Sequence, residues 1–244
     1  MLTTEMLLPL LVPFLYIFLL VVLLIVLKLL TLNFKFRHSQ YGTVSGNSFF
    51  KTIMDKGNFG EFLTFRILER LKGDNKVLTN LYISKQDGST TELDLVLVNQ
   101  TGVYVFESKN YSGWIFGDDK SKNWTQSLKG GKKTKFLNPV WQNKGHIGAL
   151  SQLLSEVSTQ HFYSYIVFSE RCELKKVIST SQSVSILRRN QLSGILKRDF
   201  DARNAVLTVE QVDAIHDLLK KHSRADDDVK AQHIQHIKNK FDHD

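Results

Sequence analysis

Two acidic residues and one lysine lie on two consecutive segments that the sequence predicts to be β-strands. Asp94 belongs to segment 92–99 (ELDLVLVN), and Glu107 and Lys109 belong to segment 102–109 (GVYVFESK). Each segment is rich in Val, Leu, Tyr and Phe, and only two residues separate them, which is typical of a β-hairpin. A hairpin brings residues of its two strands side by side, so we expect these charged side chains to lie close together.

The hairpin brings charged side chains to the edge of a hydrophobic core, where they are rare unless they are paired or bind a metal. Side-chain alternation predicts that Glu92, Asp94 and Val96 share one face, and that Glu107 and Lys109 share a face of the next strand. Two close carboxylates repel each other unless a cation or a proton intervenes, and Mg²⁺ or Mn²⁺ is the matching hard cation. Lys109 could then orient or deprotonate a water molecule. From spacing alone, a structural ion pair between these carboxylates and the lysine is an equal alternative.

The remaining periodicity predicts the elements that would position this hairpin. A helix is predicted over 57–71 (GNFGEFLTFRILERL), with Glu61 in its first turn, and residues 110–136 are predicted to be irregular. The other predicted elements are strands at 76–83, 162–168 and 184–187, and helices at 140–157, 190–198 and 209–222. This order indicates an α/β fold in which helices flank a mixed sheet.

Several of these segments together resemble the nuclease-related domain (NERD) family, which is grouped with the PD-(D/E)xK nuclease-like superfamily. The resemblance covers about residues 56–165, and the segments that carry it are GNFGE, ELDLVLV, VYVFESKN and NPVWQN. It implies a restriction-endonuclease-like core with the order α-β-β-β-α-β.

The resemblance also implies roles for individual residues. Asp94 and Glu107 would bind a divalent metal, Mg²⁺ or Mn²⁺, and Lys109 would serve the attacking water. Glu61 would add a carboxylate from the first helix of the domain, and Gln142 would complete the site from the second.

A basic segment follows the hairpin and suggests a path for a nucleic-acid backbone. Trp114 and Trp124 are interleaved with it and could stack on bases, whereas Trp141 is predicted to be buried in a helix. A solvated loop and a surface against anionic lipid are the alternatives for these lysines. The candidate phosphate-binding residues are Lys120, Lys122, Lys129, Lys132, Lys133 and Lys135.

The N-terminal segment predicts a transmembrane anchor. Residues 6–27 carry no charge and are numerous enough to cross a bilayer as a helix. A secretory signal peptide is the alternative, but its basic n-region and small-residue cleavage site are missing. Lys28, Lys35 and Arg37 follow the span, which by the positive-inside rule predicts an outside N-terminus and a cytoplasmic C-terminal domain at the plasma membrane.

Composition bounds the number of domains. The chain has 244 residues and a net charge of +8, and its single cysteine, Cys172, excludes an intramolecular disulfide and a cysteine-based zinc site. We expect an anchor at 1–32, a juxtamembrane linker at 33–56, one nuclease-related domain with a C-terminal α/β extension at 57–222, and a polar tail at 223–244.

Three functions fit this sequence. The first is a membrane-anchored, divalent-metal-dependent nuclease that acts on DNA or RNA at the cytoplasmic face. The second is a catalytically inactive module of the same fold that holds nucleic acid or a protein partner near the membrane. The third is a structural adaptor that needs neither the carboxylates nor the basic segment.

Overall fold

The structure, a computed structural model, describes residues 4–85, 87–179, 181 and 183–223. It begins with one long helix, α1 (Thr4–Arg37). Residues Val12–Arg37 form a candidate membrane span with a mean hydropathy of 2.9, and none of its most apolar stretch is buried. The polar tail predicted at 223–244 lies outside the described residues except for Ser223.

Mixed α/β packing follows the long helix. The helices are α2 (Tyr41–Ser45), α3 (Phe49–Met54), α4 (Lys56–Leu68), α5 (Pro139–Leu153), α6 (Leu192–Asp201) and α7 (Val209–Lys220). The strands are β1 (Lys76–Ser84), β2 (Thr90–Asn99), β3 (Gly102–Lys109), β4 (Gly113–Asp118), β5 (Asn123–Ser127), β6 (Lys133–Leu137), β7 (Phe162–Phe168), β8 (Cys172–Ile178) and β9 (Val184–Arg188).

The central sheet has the strand order β1-β2-β3-β7-β9. The first three strands are antiparallel, and β7 and β9 continue the sheet in parallel. Apolar side chains of α4 and α6 pack on one face, and those of α5 and α7 pack on the other. The predicted α/β fold is therefore confirmed, and the layout is consistent with a restriction-endonuclease-like core.

The interpretation of residues 110–136 as irregular was wrong. They contain β4, β5 and β6, which form a second sheet of order β6-β5-β4-β8. Strand β4 pairs in parallel with β8, more than fifty residues later in the chain. Short, glycine- and lysine-rich strands give little local signal, and this pairing with a distant segment is a tertiary effect. The fully buried Trp124 helps to join the two sheets, since its ring stacks on Phe168 of β7 at 6.0 Å.

The segment predicted as a juxtamembrane linker, residues 33–56, is helical and packs on the domain. It holds the end of α1 and the helices α2 and α3. Tyr41 of α2 is fully buried against Phe62 and Phe65 of α4, with ring centroids 5.5 Å apart in both pairs. Phe36 near the end of α1 contacts the rings of Tyr41 and Phe62. The end of α1 is thus packed against the core of the domain.

Gly117 of β4 is required by the packing of Trp124, because a Cβ at this position would clash with the indole ring. We therefore expect Gly117→Ala to lower the free energy of unfolding by about 1–3 kcal/mol, the usual cost of overpacking a core. The matched control is Gly148→Ala in α5, where a Cβ meets open space and stabilises the helix by about 0.5–1 kcal/mol. Thermal unfolding of the full chain in detergent measures both, and equal effects would contradict this packing.

Candidate functional site

Helix α4 carries Glu61, and local interactions set where this helix begins. The side chain of Asp55 accepts a hydrogen bond from the backbone N–H of Asn58 at 2.8 Å, which caps the helix. Gly60 allows a close approach to Asn110, whose Nδ2 donates to the carbonyl of Lys56 at 2.7 Å. The start of α4 is therefore tied to the segment directly after β3.

Asp94 is held where side-chain alternation breaks in β1 and β2. Asn80 of β1 has a left-handed backbone, φ 54°, which asparagine tolerates better than most residues. Leu93 and Val96 pack in the same core although they are three residues apart, so the predicted grouping of Val96 with Glu92 on one face is wrong. The altered backbone is not visible in a hydrophobicity pattern.

Two backbone contacts fix Asp94 beside β3. Its Oδ2 accepts a hydrogen bond from the N–H of Ser108 at 2.9 Å, and its carbonyl accepts one from the hydroxyl of Thr79 at 2.6 Å. The hydroxyl of Ser108 in turn lies 3.4 Å from that of Thr64 in α4. The carboxylate of Asp94 is thereby placed between the helix that carries Glu61 and the strand that carries Glu107.

Glu107 and Lys109 share a face of β3, as the sequence predicts. Lys109 Nζ lies 2.6 Å from Glu107 Oε1, and both side chains are largely buried. The second oxygen, Oε2, lies 3.3 Å from Nδ1 of His146 in α5. His146 was missed by the sequence reasoning, although its spacing of four residues from Gln142 puts both on one side of α5.

The carboxylates raise each other's affinity for protons. Burial raises the pKa of Glu61 to about 8, and the charges of Glu92, Asp55 and Glu107 add to this effect. Burial and then the charges of Glu107 and Glu61 raise the pKa of Asp94 well above its usual range. Burial alone would lower the pKa of Lys109, but the carboxylates of Glu107 and Asp94 outweigh it and raise this pKa.

Helix α5 approaches the site from the opposite face of the sheet. Asn138 caps its first turn, and the buried Asn143 donates to the carbonyl of Val105 at 2.9 Å and to the hydroxyl of Ser164 at 2.8 Å. These bonds pin α5 across β3 and β7. Gln142 lies half-buried one turn before His146, so it is on the side of α5 that meets Glu107.

The residues fit a divalent cation chemically. All three implied carboxylate donors are hard oxygen ligands, and burial of their charges makes a cation favourable. Glu107 Oε2 is buried and accepts no hydrogen bond within the described part of the chain. Among the described residues, however, no three His, Cys, Asp or Glu side chains are close enough to form a ready-made metal site. Lys109 is instead the cation next to Glu107.

The aromatic candidates divide by exposure. Trp114 is 48% exposed and lies against Lys175, whose Nζ is 5.6 Å from the ring centroid. Trp124 is fully buried, so its assignment as a base-stacking residue is corrected, because apolar packing between the sheets uses both ring faces. Trp141 was expected to be buried but is 43% exposed, and its Nε1 donates to the carbonyl of Asp119 at 2.8 Å.

The six candidate lysines are all exposed, and they lie on strand β6 of the second sheet and in the turns on either side of β5. Lys120 and Lys122 belong to the β4–β5 turn, whereas Lys129 and Lys132 belong to the turn between β5 and β6. Lys133 and Lys135 are on β6 itself.

The β5–β6 turn borders an open cleft of about 540 Å³. Lys129, Trp114 and Arg171 line this cleft together with Ser112, which is three residues beyond Lys109. Arg171 also donates to the carbonyl and to the side chain of Asn110. The cleft therefore adjoins the segment that leads directly out of the carboxylate cluster.

Two comparisons bear on this arrangement. The family model described as the nuclease-related domain matches residues 56–169, which run from the start of α4 to just beyond β7. An uncharacterized protein of Bacillus anthracis, pXO1-01, is 34% identical over 187 residues, which cover 76% of this chain and 85% of that protein. The similarity thus extends over more of the chain than the matched domain.

The raised pKa of Glu61 predicts a pH dependence of stability in metal-free protein. The unfolded chain loses this proton near pH 4.5 and the folded chain near pH 8, so the free energy of unfolding falls as pH rises between them. The contribution is at most about 1.4 kcal/mol per pH unit. We expect Glu61→Gln to make this fall with pH less steep, while Asp94, whose pKa is also raised, keeps its own contribution, and we expect Glu156→Gln, an exposed glutamate near the end of α5, to leave the slope unchanged. Chemical denaturation in EDTA measures the slopes, and identical slopes for wild type and Glu61→Gln would contradict the assignment.

Proposed function

The chain belongs to the nuclease-related domain family, and from this premise we propose that it is a divalent-metal-dependent nuclease that hydrolyses phosphodiester bonds in DNA or RNA. The observation that carries the proposal is the juxtaposition of Asp94, Glu107 and Lys109 on β2 and β3. The raised pKa values of Asp94 and Glu61 support it, because perturbed carboxylates cluster at functional sites.

Each side chain has a role in this proposal. Asp94 and Glu107 would hold Mg²⁺ or Mn²⁺, and Glu61 would add a third carboxylate from α4. The bound cation would supply Lewis-acid stabilisation of the charged phosphate and a lower pKa of water. Lys109 would orient the attacking water and stabilise developing negative charge, after its ammonium leaves Glu107. From α5, Gln142 would complete the site, and His146 would hold the carboxylate of Glu107 in position.

We further propose that α1 anchors the protein in the plasma membrane, with the catalytic domain at the cytoplasmic face. The apolar span supports the anchor, and the lysine and arginine residues that follow it support the sidedness. The domain would then act on nucleic acid close to the membrane.

The substrate strand is proposed to enter along the β5–β6 turn. Trp114 offers an exposed ring for a base, and Lys129 and Arg171 offer cations for phosphates in the same cleft. This combination suits a single strand, whose bases are free to stack.

The catalytic proposal predicts that Asp94→Asn lowers metal-dependent cleavage at least about 100-fold, because one metal-binding carboxylate is lost. Lys109→Met is expected to have a similar effect on the rate at saturating metal. Asp213→Asn is the matched control, since this exposed carboxylate of α7 pairs with Lys76 of β1, away from the site. Gel assays with labelled DNA and RNA, in Mg²⁺, Mn²⁺ or EDTA, measure cleavage by the full chain in nanodiscs.

One combination of results would contradict the catalytic proposal. If wild-type protein binds nucleic acid but never cuts it, and Asp94→Asn binds equally well, the inactive binding module is the better account. The ion pair between Lys109 and Glu107 favours that second candidate, since it neutralises Glu107 without a metal.

The proposed strand path predicts that charge removal at the β5–β6 turn weakens binding. Replacing Lys129, Lys132 and Lys133 together by Gln should reduce affinity and lower the slope of log K against log salt by about 2–3, one unit for each lost phosphate contact. The control removes the same charge from α6 and α7, at Lys197, Lys220 and Lys221, which are exposed. Fluorescence anisotropy at several salt concentrations measures both, and equal losses would indicate only a general effect of net charge.

A further inference from the structure

Three large apolar side chains near the end of α1 and on the neighbouring helix α3 are exposed. Phe50 and Met54 of α3 are 70% and 82% exposed, and their spacing of four residues puts them on one side of that helix. Phe34 of α1 is 62% exposed. We call Phe34, Phe50 and Met54 the apolar collar.

The collar is held firmly, since the opposite side of α3 packs on the domain. Phe49 contacts Phe36 of α1 with ring centroids 5.7 Å apart, and the buried Thr52 donates to the carbonyl of Ser48 at 2.9 Å. The side chain of Ser48 caps the helix by accepting from the N–H of Lys51. Phe50 and Met54 are therefore exposed on a helix whose opposite side is packed against neighbouring residues.

The burial pattern of α1 places the collar at the edge of its apolar span. Every side chain described from Val12 to Thr31 is exposed, and Leu32 is the first that the domain partly covers. A span of about 20 residues ending at Leu32 fills the hydrocarbon core if the long side chain of Lys28 reaches back to the headgroups. The domain then meets α1 at the membrane surface, without a flexible spacer.

The charges around the collar match an anionic membrane surface. Lys35, Arg37, Lys51 and Lys56 are exposed in residues 33–56, and Asp55 is the one carboxylate among them. Each basic residue near such a surface contributes about 1 kcal/mol of attraction, and aromatic and other apolar side chains insert at the headgroup level.

We propose that the apolar collar inserts into the headgroup region of the bilayer and fixes the orientation of the domain on the membrane. The partner is the lipid surface itself, and continuity with the apolar span of α1 favours it over a protein. The proposal rests on the membrane anchoring proposed above, and it adds a second, peripheral contact outside the span. Since α4 follows α3 directly, the collar also sets the direction in which Glu61 and its neighbours face.

Site-directed spin labelling of the full chain tests this contact, because the only native cysteine, Cys172, is buried. Labels are attached to Phe50→Cys and Met54→Cys in nanodiscs of phosphatidylcholine and phosphatidylglycerol. The references are Leu20→Cys within the span and Val209→Cys at the start of α7, which is exposed on the far part of the domain. Collision with oxygen, which concentrates in lipid, is compared with collision with a water-soluble nickel chelate.

We expect the labels at positions 50 and 54 to collide with oxygen more than with nickel, as the label at 20 does, while the label at 209 shows the reverse. Preference for nickel at 50 and 54 with a lipid-exposed label at 20 would overturn the collar but leave the anchor. Exclusion of both reagents at 50 and 54 would indicate a protein contact and also overturn it. An aqueous label at 20 would overturn the anchor and the collar together, whatever the nuclease assay shows.

Discussion

Mutual repulsion of buried carboxylates is the constraint on which the candidate site depends. Glu61, Asp94 and Glu107 come from a helix and two strands; in addition to burial, the charge of Glu107 raises the pKa of Glu61, and the charges of Glu107 and Glu61 raise the pKa of Asp94. The ammonium of Lys109 lies within ion-pair distance of Glu107 and offsets part of this charge. Such an arrangement costs folding free energy unless a cation or protons neutralise the carboxylates.

Hydrogen bonds to the backbone of β3 hold the elements around the site together against that repulsion. Asp94 is held by the N–H of Ser108, and α5 is held across β3 by Asn143. The left-handed backbone of Asn80 interrupts the alternation of side chains beside Asp94. Leu93 and Val96, on either side of Asp94, therefore pack in the same core while Asp94 itself stays outside it. The metal site proposed above would require such preorganisation.

The central sheet and the site residues on β2 and β3 could be predicted because their signals are local. Alternation placed Glu107 and Lys109 on one face, and the run of apolar residues identified the strands. The second sheet could not be predicted, since β4 is stabilised by β8 from a distant part of the chain. The burial of Trp124 and the approach of His146 to Glu107 depend on the same tertiary packing. The sequence pattern likewise treats Tyr41 as part of a linker, although it is fully buried.

Tyr41 contacts both the end of α1, through Phe36, and the carboxyl group of Glu61. It follows the long helix by four residues, and its hydroxyl lies 3.5 Å from Oε2 of Glu61 and 3.3 Å from the carbonyl of Asn58. Burial and the charge of Glu61 raise the pKa of this phenol, so it stays protonated and donates to the carboxylate. The segment that follows α1 therefore supplies a hydrogen bond to Glu61. Because Phe36 and Tyr41 both pack on Phe62 of α4, the end of α1 and the helix that carries Glu61 share one packed cluster.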